Sequence, residues 1–246
     1  MNVYGLIGYP LSHSFSKKYF TEKFENENIG DTKYELFEIR DIADFPKIIA
    51  NNPNLRGLNV TLPYKEAVIK YLDDVAESAK KINAVNVIKI GKNGKMVGYN
   101  SDYYGFKNSL FRFLPENYKG MKALVLGSGG AAKAVKAVLE DLQIPYLVVS
   151  RKLDLGTILY EQINDEHVRD YKLVINTTPI GMYPNAKDSP YLPYSAFTSE
   201  HYFYDLVYNP LETLFMMKGK ARGAKTKGGL EMLHLQAEKA WEIWNS

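Results

Sequence analysis

Residues 123–132 place a glycine-rich turn between an apolar strand and an alanine-rich helix. Gly127 is suited to the tight turn, and Gly129 leaves space where a phosphate must approach the backbone. A helix that begins near Gly130 offers free N–H groups and the positive end of its dipole to an anion. The pattern predicts a Rossmann-like unit that binds a dinucleotide. The alternative is a glycine-rich turn that packs only against its own sheet.

Strands and helices alternate along most of the chain, and this alternation is typical of mostly parallel sheets. In the first part, the pattern predicts strands over 2–8, 34–39, 55–60, 85–90 and 95–99, and helices over 16–27, 42–51, 65–72 and 77–81. In the second part, it predicts strands over 122–126, 146–150, 173–176, 202–204 and 223–226, and helices over 103–114, 131–142, 154–163, 211–220 and 230–244. Asn93–Gly94 favours a hairpin between the strands on either side of it, and this hairpin is the one antiparallel strand pair that the pattern predicts.

We therefore predict an α/β fold with two domains. The first is N-terminal and mostly parallel and comprises 1–101 plus 231–246. The second is C-terminal, Rossmann-like and dinucleotide-binding, and comprises 102–230.

Composition excludes several classes of protein. The 246 residues carry a formal net charge of only +3, which indicates neither a nucleic-acid nor a membrane partner. The chain has no cysteine and only four scattered histidines, so we expect no metal site. No run approaches the roughly 20 apolar residues that cross a bilayer, and the first residues do not form a signal peptide. We expect a cytoplasmic protein.

The end of the second strand after residue 120 bears on the choice of dinucleotide. An acidic residue there would bind the ribose hydroxyl of NAD, but the sequence is Ser150-Arg151-Lys152. Two cations favour the 2′-phosphate of NADP. A solvated basic turn is the alternative.

Polar residues also follow the first and third strands. Ser14 and Ser16 lie at a helix start, where a hydroxyl either binds a carboxylate or caps the helix, and the residues alone favour capping. Asn59 and Thr61 lie near the carboxyl end of a strand, where open α/β sheets bind ligands. Lys65 follows Pro63 at the same edge; alone, it would more often be a surface lysine.

Further polar residues lie at the ends of predicted elements: Asn86, Asp102, Asn176, Thr177, Thr178, Asp205, Tyr208 and Gln236. They indicate a hydroxylated small molecule. Interconversion of an alcohol and a ketone with a nicotinamide requires a proton donor and acceptor at the oxygen, and Lys65 held by Asp102 is suited to that role.

In their order and spacing, these motifs resemble those of the shikimate dehydrogenase family along almost the whole chain. The matching segments are 8–16, the Asn-Val-Thr-x-Pro-x-Lys run at 59–65, 84–86, 98–102, 127–131, 175–182, 205–210 and 228–236. The resemblance implies NADP-dependent reversible reduction of 3-dehydroshikimate to shikimate, in the pathway to chorismate and the aromatic amino acids. It also implies that 1–101 plus 231–246 is an N-terminal substrate-binding and catalytic domain, and that 102–230 is a C-terminal Rossmann-like NADP-binding domain.

The resemblance also implies roles for individual residues. Lys65 and Asp102 would be catalytic, with Asp102 as the partner of Lys65. The substrate would contact Ser14, Ser16, Asn59, Thr61, Asn86, Asp102, Tyr208 and Gln236, the two serines through its carboxylate. NADP would contact Gly127, Ser128, Gly129, Gly130, Ala131, Ser150, Arg151, Lys152, Thr177, Thr178, Pro179, Met182, Leu206 and Gly229.

The second domain departs from the family pattern. Ser150-Arg151-Lys152 keeps only the arginine of the usual Asn-Arg-Thr, and the stretch from Arg151 to Asn176 is short, so we expect a missing or curtailed strand. Two alternatives therefore stay open: a quinate/shikimate dehydrogenase that uses NAD or NADP, and a non-catalytic NADP-binding regulatory homologue. A folate dehydrogenase fits the paired serines and Asn86 less well. A monomer and a homodimer are both compatible with the sequence.

Overall fold

The computed structural model describes residues 1–11 and 14–246, and the chain divides into two compact units. The first unit comprises Met1–Ser101 and Ala237–Ser246, and the second comprises Asp102–Gln236. The sequence-based division put 231–236 with the first domain, whereas these residues group with the second unit, because the start of the last helix packs there through Met232.

The first unit contains a six-stranded sheet. Its elements are β1 Asn2–Gly8, α1 Phe15–Asn26, β2 Thr32–Glu38, a 3-10 helix Ile42–Asp44, α2 Phe45–Asn51, β3 Leu55–Val60, a 3-10 helix Ala67–Tyr71, β4 Asp74–Val75, α3 Glu77–Lys80, β5 Val87–Ile90 and β6 Met96–Tyr99. The strand order is β2-β1-β3-β5-β6-β4. The pairs β1–β2, β1–β3 and β4–β6 are parallel, while β5 runs antiparallel to β3 and β6.

Local sequence explains several of these elements. The Asp41 side chain accepts a hydrogen bond from the Ala43 N–H at 2.9 Å and so caps the 3-10 helix before α2. Gly94 has φ +80° in the turn between β5 and β6, which confirms the predicted hairpin. Apolar clusters cover both faces of the sheet: one includes Phe45 and Leu58, and the other includes Phe20.

The second unit contains another six-stranded sheet, in the order β12-β11-β10-β7-β8-β9, and every pair in it is parallel. Its elements are β7 Ala123–Leu126, α5 Gly130–Asp141, β8 Tyr146–Ser150, β9 Thr157–Leu159, a 3-10 helix Tyr160–Gln162, α6 Asp165–Asp170, β10 Leu173–Asn176, a 3-10 helix Tyr194–Ala196, β11 Tyr202–Asp205, α7 Leu214–Lys220 and β12 Lys225–Lys227. Helix α4 Ser101–Phe113 precedes β7, and α8 Leu230–Asn245 ends the chain. Apolar clusters again lie on both faces of the sheet.

Two sequence predictions need correction. The predicted helix over 154–163 is wrong, because this stretch contains the short strand β9 and a 3-10 helix. Ile158 of β9 packs against an apolar cluster of the second unit. The curtailed strand is therefore present, with three residues paired to β8. The helix over 65–72 is reduced to the 3-10 helix Ala67–Tyr71.

Together these elements confirm the predicted α/β class with two sheets rich in parallel strands. Within the described residues, no helix is both long and apolar enough to cross a membrane.

Candidate functional site

Ser14 holds an uncommitted hydroxyl at the start of α1. It occupies the N-cap position, but its side chain makes no capping hydrogen bond. Its Oγ is buried and has no hydrogen-bond partner among the described residues. A buried donor without a partner is unfavourable unless a ligand satisfies it, so the capping interpretation of Ser14 is wrong and a binding role gains support. The neighbouring Ser12 and His13 lie outside the described residues.

Gly8 brings this loop beside the end of β3. A Cβ on Gly8 would collide with Cγ2 of Thr61 and lie 2.9 Å from Cδ2 of Leu11. The Leu11 N–H donates to Oε2 of Glu38 at 2.7 Å, and the Thr61 N–H donates to the Ile7 carbonyl at 2.9 Å. The two predicted substrate segments therefore meet at the carboxyl ends of β1 and β3.

Asn59 and Asn86 belong to one chain of hydrogen bonds. The Tyr34 hydroxyl donates to Oδ1 of Asn59 at 2.7 Å, and Nδ2 of Asn59 donates to the Asn86 carbonyl at 3.4 Å. Nδ2 of Asn86 in turn donates to Oγ of Ser101 at 3.1 Å, while the Ser101 N–H donates to Oδ1 of Asn86 at 2.7 Å. Burial raises the pKa of Tyr34, and an interaction with the Ser16 hydroxyl opposes that rise.

Lys65 sits in a turn whose backbone is held on both sides. The hydroxyl of its neighbour Tyr64 donates to the Ile39 carbonyl at 2.7 Å, and the Tyr64 N–H donates to the Thr61 carbonyl at 3.0 Å. The Val85 N–H donates to the Lys65 carbonyl at 2.7 Å. These bonds fix the backbone of Lys65 near Thr61. The residue is half-buried and does not lie on an open surface.

Three further substrate candidates lie in the second unit. Asp102 is half-buried in the first turn of α4, where the helix dipole favours a carboxylate. Gln236 lies on α8 where that helix approaches α4, because a Cβ on Gly105 would be only 3.2 Å from Cβ of Gln236. Tyr208 follows β11, and burial raises its pKa.

Gly127 starts the turn at the end of β7 and is needed there for two reasons. Its φ is +104°, a backbone angle that residues with a side chain rarely adopt. A Cβ at this position would also lie 2.8 Å from both Oγ1 of Thr177 and Cγ2 of Thr178. Thr177 also donates through Oγ1 to the Leu126 carbonyl at 2.7 Å. The glycine therefore allows the loop after β7 to pack against the loop after β10.

Gly129 and Gly130 differ from Gly127, because a Cβ on either would meet nothing within 4 Å. Both are exposed, and Gly129 is the N-cap of the 12-residue helix α5. The first N–H groups of a helix have no acceptor within the helix, and the space beside the two glycines is open, so the loop has the room and polarity that a pyrophosphate requires. Ala131 is exposed in the same turn, while Ala132 packs in the core.

Ser150 connects the glycine loop to the basic turn after β8. Its Oγ lies 3.3 Å from Oγ of Ser128 and accepts a hydrogen bond from the Lys152 N–H at 3.3 Å. Ser150 is buried, whereas Arg151 and Lys152 are exposed. The two cations are therefore available to a phosphate, in a turn that is tied to the loop that would hold the pyrophosphate.

The loop after β10 is held by the buried carboxylate of Asp205, a residue that the sequence analysis placed among the ligand-facing residues. Asp205 is fully buried and accepts hydrogen bonds from Oγ1 of Thr213 at 2.6 Å, Nδ2 of Asn176 at 2.9 Å and the Val207 N–H at 3.0 Å. Burial raises its pKa to about 6. Asp205 and the equally buried Asn176 therefore support loops, and neither side chain is exposed to solvent. Oδ1 of Asn176 orients Thr178 by accepting from its N–H and hydroxyl.

Leu206 and Gly229 are brought together. A Cβ on Gly229 would collide with the Leu206 carbonyl oxygen, and the Gly229 N–H donates to the Val207 carbonyl at 3.0 Å. Pro179 and Met182 are exposed on the loop after β10, whose turn is closed by a bond from the Met182 N–H to the Pro179 carbonyl.

Tyr34 and Thr213 are parts of these networks that sequence reasoning missed. Tyr34 has the pattern of an ordinary strand residue, and no motif marks its hydroxyl. Among the described residues, no group of histidine, aspartate and glutamate side chains could hold a metal ion.

Comparison with known proteins identifies the family. The NADP-dependent shikimate dehydrogenase of Clostridium perfringens is 40% identical over 257 aligned positions, which cover 100% of this chain and 93% of that protein. The chain belongs to the shikimate dehydrogenase family. The family model for the shikimate dehydrogenase substrate binding domain matches residues 6–88.

Solved structures of the shikimate dehydrogenase family agree with this assignment. The shikimate 5-dehydrogenase of Thermus thermophilus, solved with NADP(H) and shikimate, has a TM-score of 0.82 and 33% identity, with 99% of this chain and 93% of that chain covered. The quinate dehydrogenase of Corynebacterium glutamicum, solved with NAD, has a TM-score of 0.87 and 25% identity, with the same coverage. The predicted fold class, an N-terminal substrate domain followed by a Rossmann-like domain, is confirmed.

Proposed function

We propose that this chain catalyses the NADP-dependent, reversible reduction of 3-dehydroshikimate to shikimate, a step in the biosynthesis of chorismate and the aromatic amino acids. The observation that carries the proposal is full-length family membership, in a chain that retains both the substrate motifs of the first unit and the open glycine loop of the second. The residues at each location have the chemistry that the substrate and cofactor require.

In the first unit, the proposed ligands match a carboxylated polyol. The Ser14 hydroxyl, which has no hydrogen-bond partner among the described residues, binds the carboxylate together with Ser16. Asn59, Thr61 and Asn86 face ring hydroxyls, since amides and hydroxyls both donate and accept hydrogen bonds. The family motifs to which they belong also support Tyr208 and Gln236 as substrate ligands.

Lys65 is proposed as the proton donor and acceptor. During reduction, the Lys65 ammonium gives a proton to the oxygen of the carbon that receives the hydride, and during oxidation the neutral amine takes that proton back. The hydride itself is the chemistry that bound NADPH supplies. The sequence motifs support Asp102 as the residue that orients Lys65 and balances its charge.

In the second unit, the proposed NADP ligands fall into three groups. Gly127, Ser128, Gly129, Gly130 and Ala131 present the start of α5 to the pyrophosphate. Ser150, Arg151 and Lys152 recognise the 2′-phosphate. The loops after β10 and β11, with Gly229, flank the nicotinamide and its ribose; they contribute Thr177, Thr178, Pro179, Met182 and Leu206.

The deciding experiment follows NADPH absorbance after shikimate is added to the purified chain with NADP. We expect NADPH to form, and to form faster with shikimate than with quinate and with NADP than with NAD. Saturable NADP binding without shikimate oxidation would instead favour a regulatory homologue.

A dehydrogenase that accepts both quinate and shikimate is the second candidate. The likeness to the Corynebacterium glutamicum quinate dehydrogenase and the altered Ser150-Arg151-Lys152 turn favour it. Equal turnover of the two acids in the same assay would establish it. We further propose a cytoplasmic monomer or homodimer with no nucleic-acid or membrane partner, and light scattering of the purified chain measures its oligomeric state.

A further inference from the structure

Asn59 places a polar amide on an apolar face of the first sheet. Gly57, two residues earlier on β3, points to the same side, and a Cβ there would collide with the ring of Trp244. Val87, the residue paired with Asn59 on β5, packs in the same cluster as Trp244. An amide in such surroundings keeps a defined orientation only if its oxygen and its nitrogen both have partners.

The Tyr34 hydroxyl supplies the partner for the oxygen. It donates to Oδ1 of Asn59 at 2.7 Å, and this leaves Nδ2 directed to the Asn86 carbonyl at 3.4 Å. Tyr34 is itself fixed, because its ring stacks on Phe20 with a centroid distance of 4.8 Å and an interplanar angle of 11°. The hydroxyl therefore approaches Asn59 from a rigid ring.

We propose that Tyr34 is a positioning residue of the substrate site, which holds the Asn59 amide in the orientation that binds a substrate hydroxyl. This inference rests on the proposed function for the identity of the substrate. Tyr34 is only 3% exposed, so it acts through Asn59 rather than by touching substrate. The Tyr34 hydroxyl also interacts with the Ser16 hydroxyl, which opposes the rise that burial causes in the pKa of Tyr34. Tyr34 thus interacts with two proposed substrate ligands.

Steady-state kinetics of Tyr34→Phe in the full chain provide the first test. The loss of one hydrogen bond to the amide should raise KM for shikimate about 3- to 10-fold, with kcat and KM for NADP changed less than about twofold. Tyr204→Phe is the matched control, because its buried hydroxyl donates to Oγ of Ser109 at 2.8 Å in the second unit. The control should lower stability without changing KM for shikimate. Equal KM changes in the two variants would overturn the proposal.

A double-mutant cycle tests whether Tyr34 acts through Asn59. In an Asn59→Ala background, Tyr34→Phe should raise KM for shikimate less than it does in the unmodified chain, because the amide that it orients is gone. If the two substitutions raise KM independently, so that the fold-changes multiply, Tyr34 has only a structural role.

Nuclear magnetic resonance tests the orientation without any turnover. The side-chain amide signals of Asn59, assigned by their loss in Asn59→Ala, should shift and exchange faster with water in Tyr34→Phe but not in Tyr204→Phe. Unchanged Asn59 signals would refute the positioning role even in an active enzyme. Shifted signals in a chain that does not oxidise shikimate would support the orientation of Asn59 by Tyr34 and overturn the proposed function.

Discussion

Replacing Gly127 by alanine should damage the fold and the binding of NADP together, whereas the same change at Gly129 or Gly130 should damage binding alone. The difference follows from what a Cβ would meet. At Gly127 it would lie 2.8 Å from Thr177 and Thr178, in a residue with φ +104°. At Gly129 and Gly130 it would point into open space.

The loss of stability at Gly127 has two sources. A left-handed backbone conformation costs an alanine about 1 to 2 kcal/mol. The overlap with the two threonines costs about 1 to 3 kcal/mol more, because Thr177 is held by its bond to the Leu126 carbonyl and cannot move freely. We expect the free energy of unfolding to fall by about 2 to 5 kcal/mol.

Gly120→Ala separates these two sources. Gly120 has φ +89°, but a Cβ there meets nothing within 4 Å. Gly120→Ala should therefore lower the free energy of unfolding only by the conformational part. KM for NADP should stay unchanged, because Gly120 lies outside the glycine loop after β7.

The two open glycines test the binding role of the loop. Gly130→Ala should keep or raise stability by up to about 1 kcal/mol, since alanine favours a helix. Gly129→Ala and Gly130→Ala should nevertheless raise KM for NADP by at least about tenfold, or about 1.4 kcal/mol, because the methyl group fills space that the pyrophosphate needs. The measurements are urea denaturation and steady-state kinetics at varied NADP concentration. An unchanged KM for NADP in both variants would refute pyrophosphate binding at the start of α5.

Three further predictions concern single side chains. Lys65→Ala should lower kcat for shikimate oxidation by about 100-fold or more, with a smaller change in KM. The control Lys70→Ala, at an exposed lysine in the following 3-10 helix, should leave kcat and KM unchanged. A rise in KM alone would make Lys65 a binding residue. Ser14→Ala should raise KM for shikimate about tenfold with no loss of stability in urea, because its hydroxyl has no hydrogen-bond partner among the described residues. A fall in stability would contradict this. Asp205→Asn should remove part of the pH dependence of stability. Burial raises the Asp205 pKa from 3.8 to about 6, so the folded state binds this proton more tightly than the unfolded state does. In the unmodified chain, the free energy of unfolding should therefore fall by about 3 kcal/mol as pH rises from about 4 to about 6. Urea denaturation across this pH range measures the effect in the unmodified chain and in Asp205→Asn. Glu231, whose pKa is lowered to about 2, contributes in the opposite direction and equally to both chains, because it stabilises the folded state above its unfolded pKa. Identical pH profiles of the two chains would refute the role of Asp205.

The parts of the fold that could be predicted from sequence are those in which local pattern and tertiary packing agree. The strand, turn and helix around Gly127 combine an apolar run, glycines and an alanine-rich helix, and the structure has β7, the turn and α5 at those places. The stretch 154–163 lacks such agreement. Its composition permits a helix, but Thr157–Leu159 pairs with β8, since the edge of that sheet offers hydrogen bonds that an isolated segment cannot make.

The candidate site divides in the same way. Motif spacing predicted which residue types follow the strands, including Lys65, Ser14 and the glycines, because that spacing depends on covalent order alone. How each polar group is used depends instead on the partners that tertiary packing brings to it. Asp205 is fully buried and accepts from three donors, whereas the buried Ser14 hydroxyl has no partner in the part of the chain that the structure describes. Hydrogen-bond partners such as Tyr34 and Asn59 come from different strands, and folding alone brings them within reach.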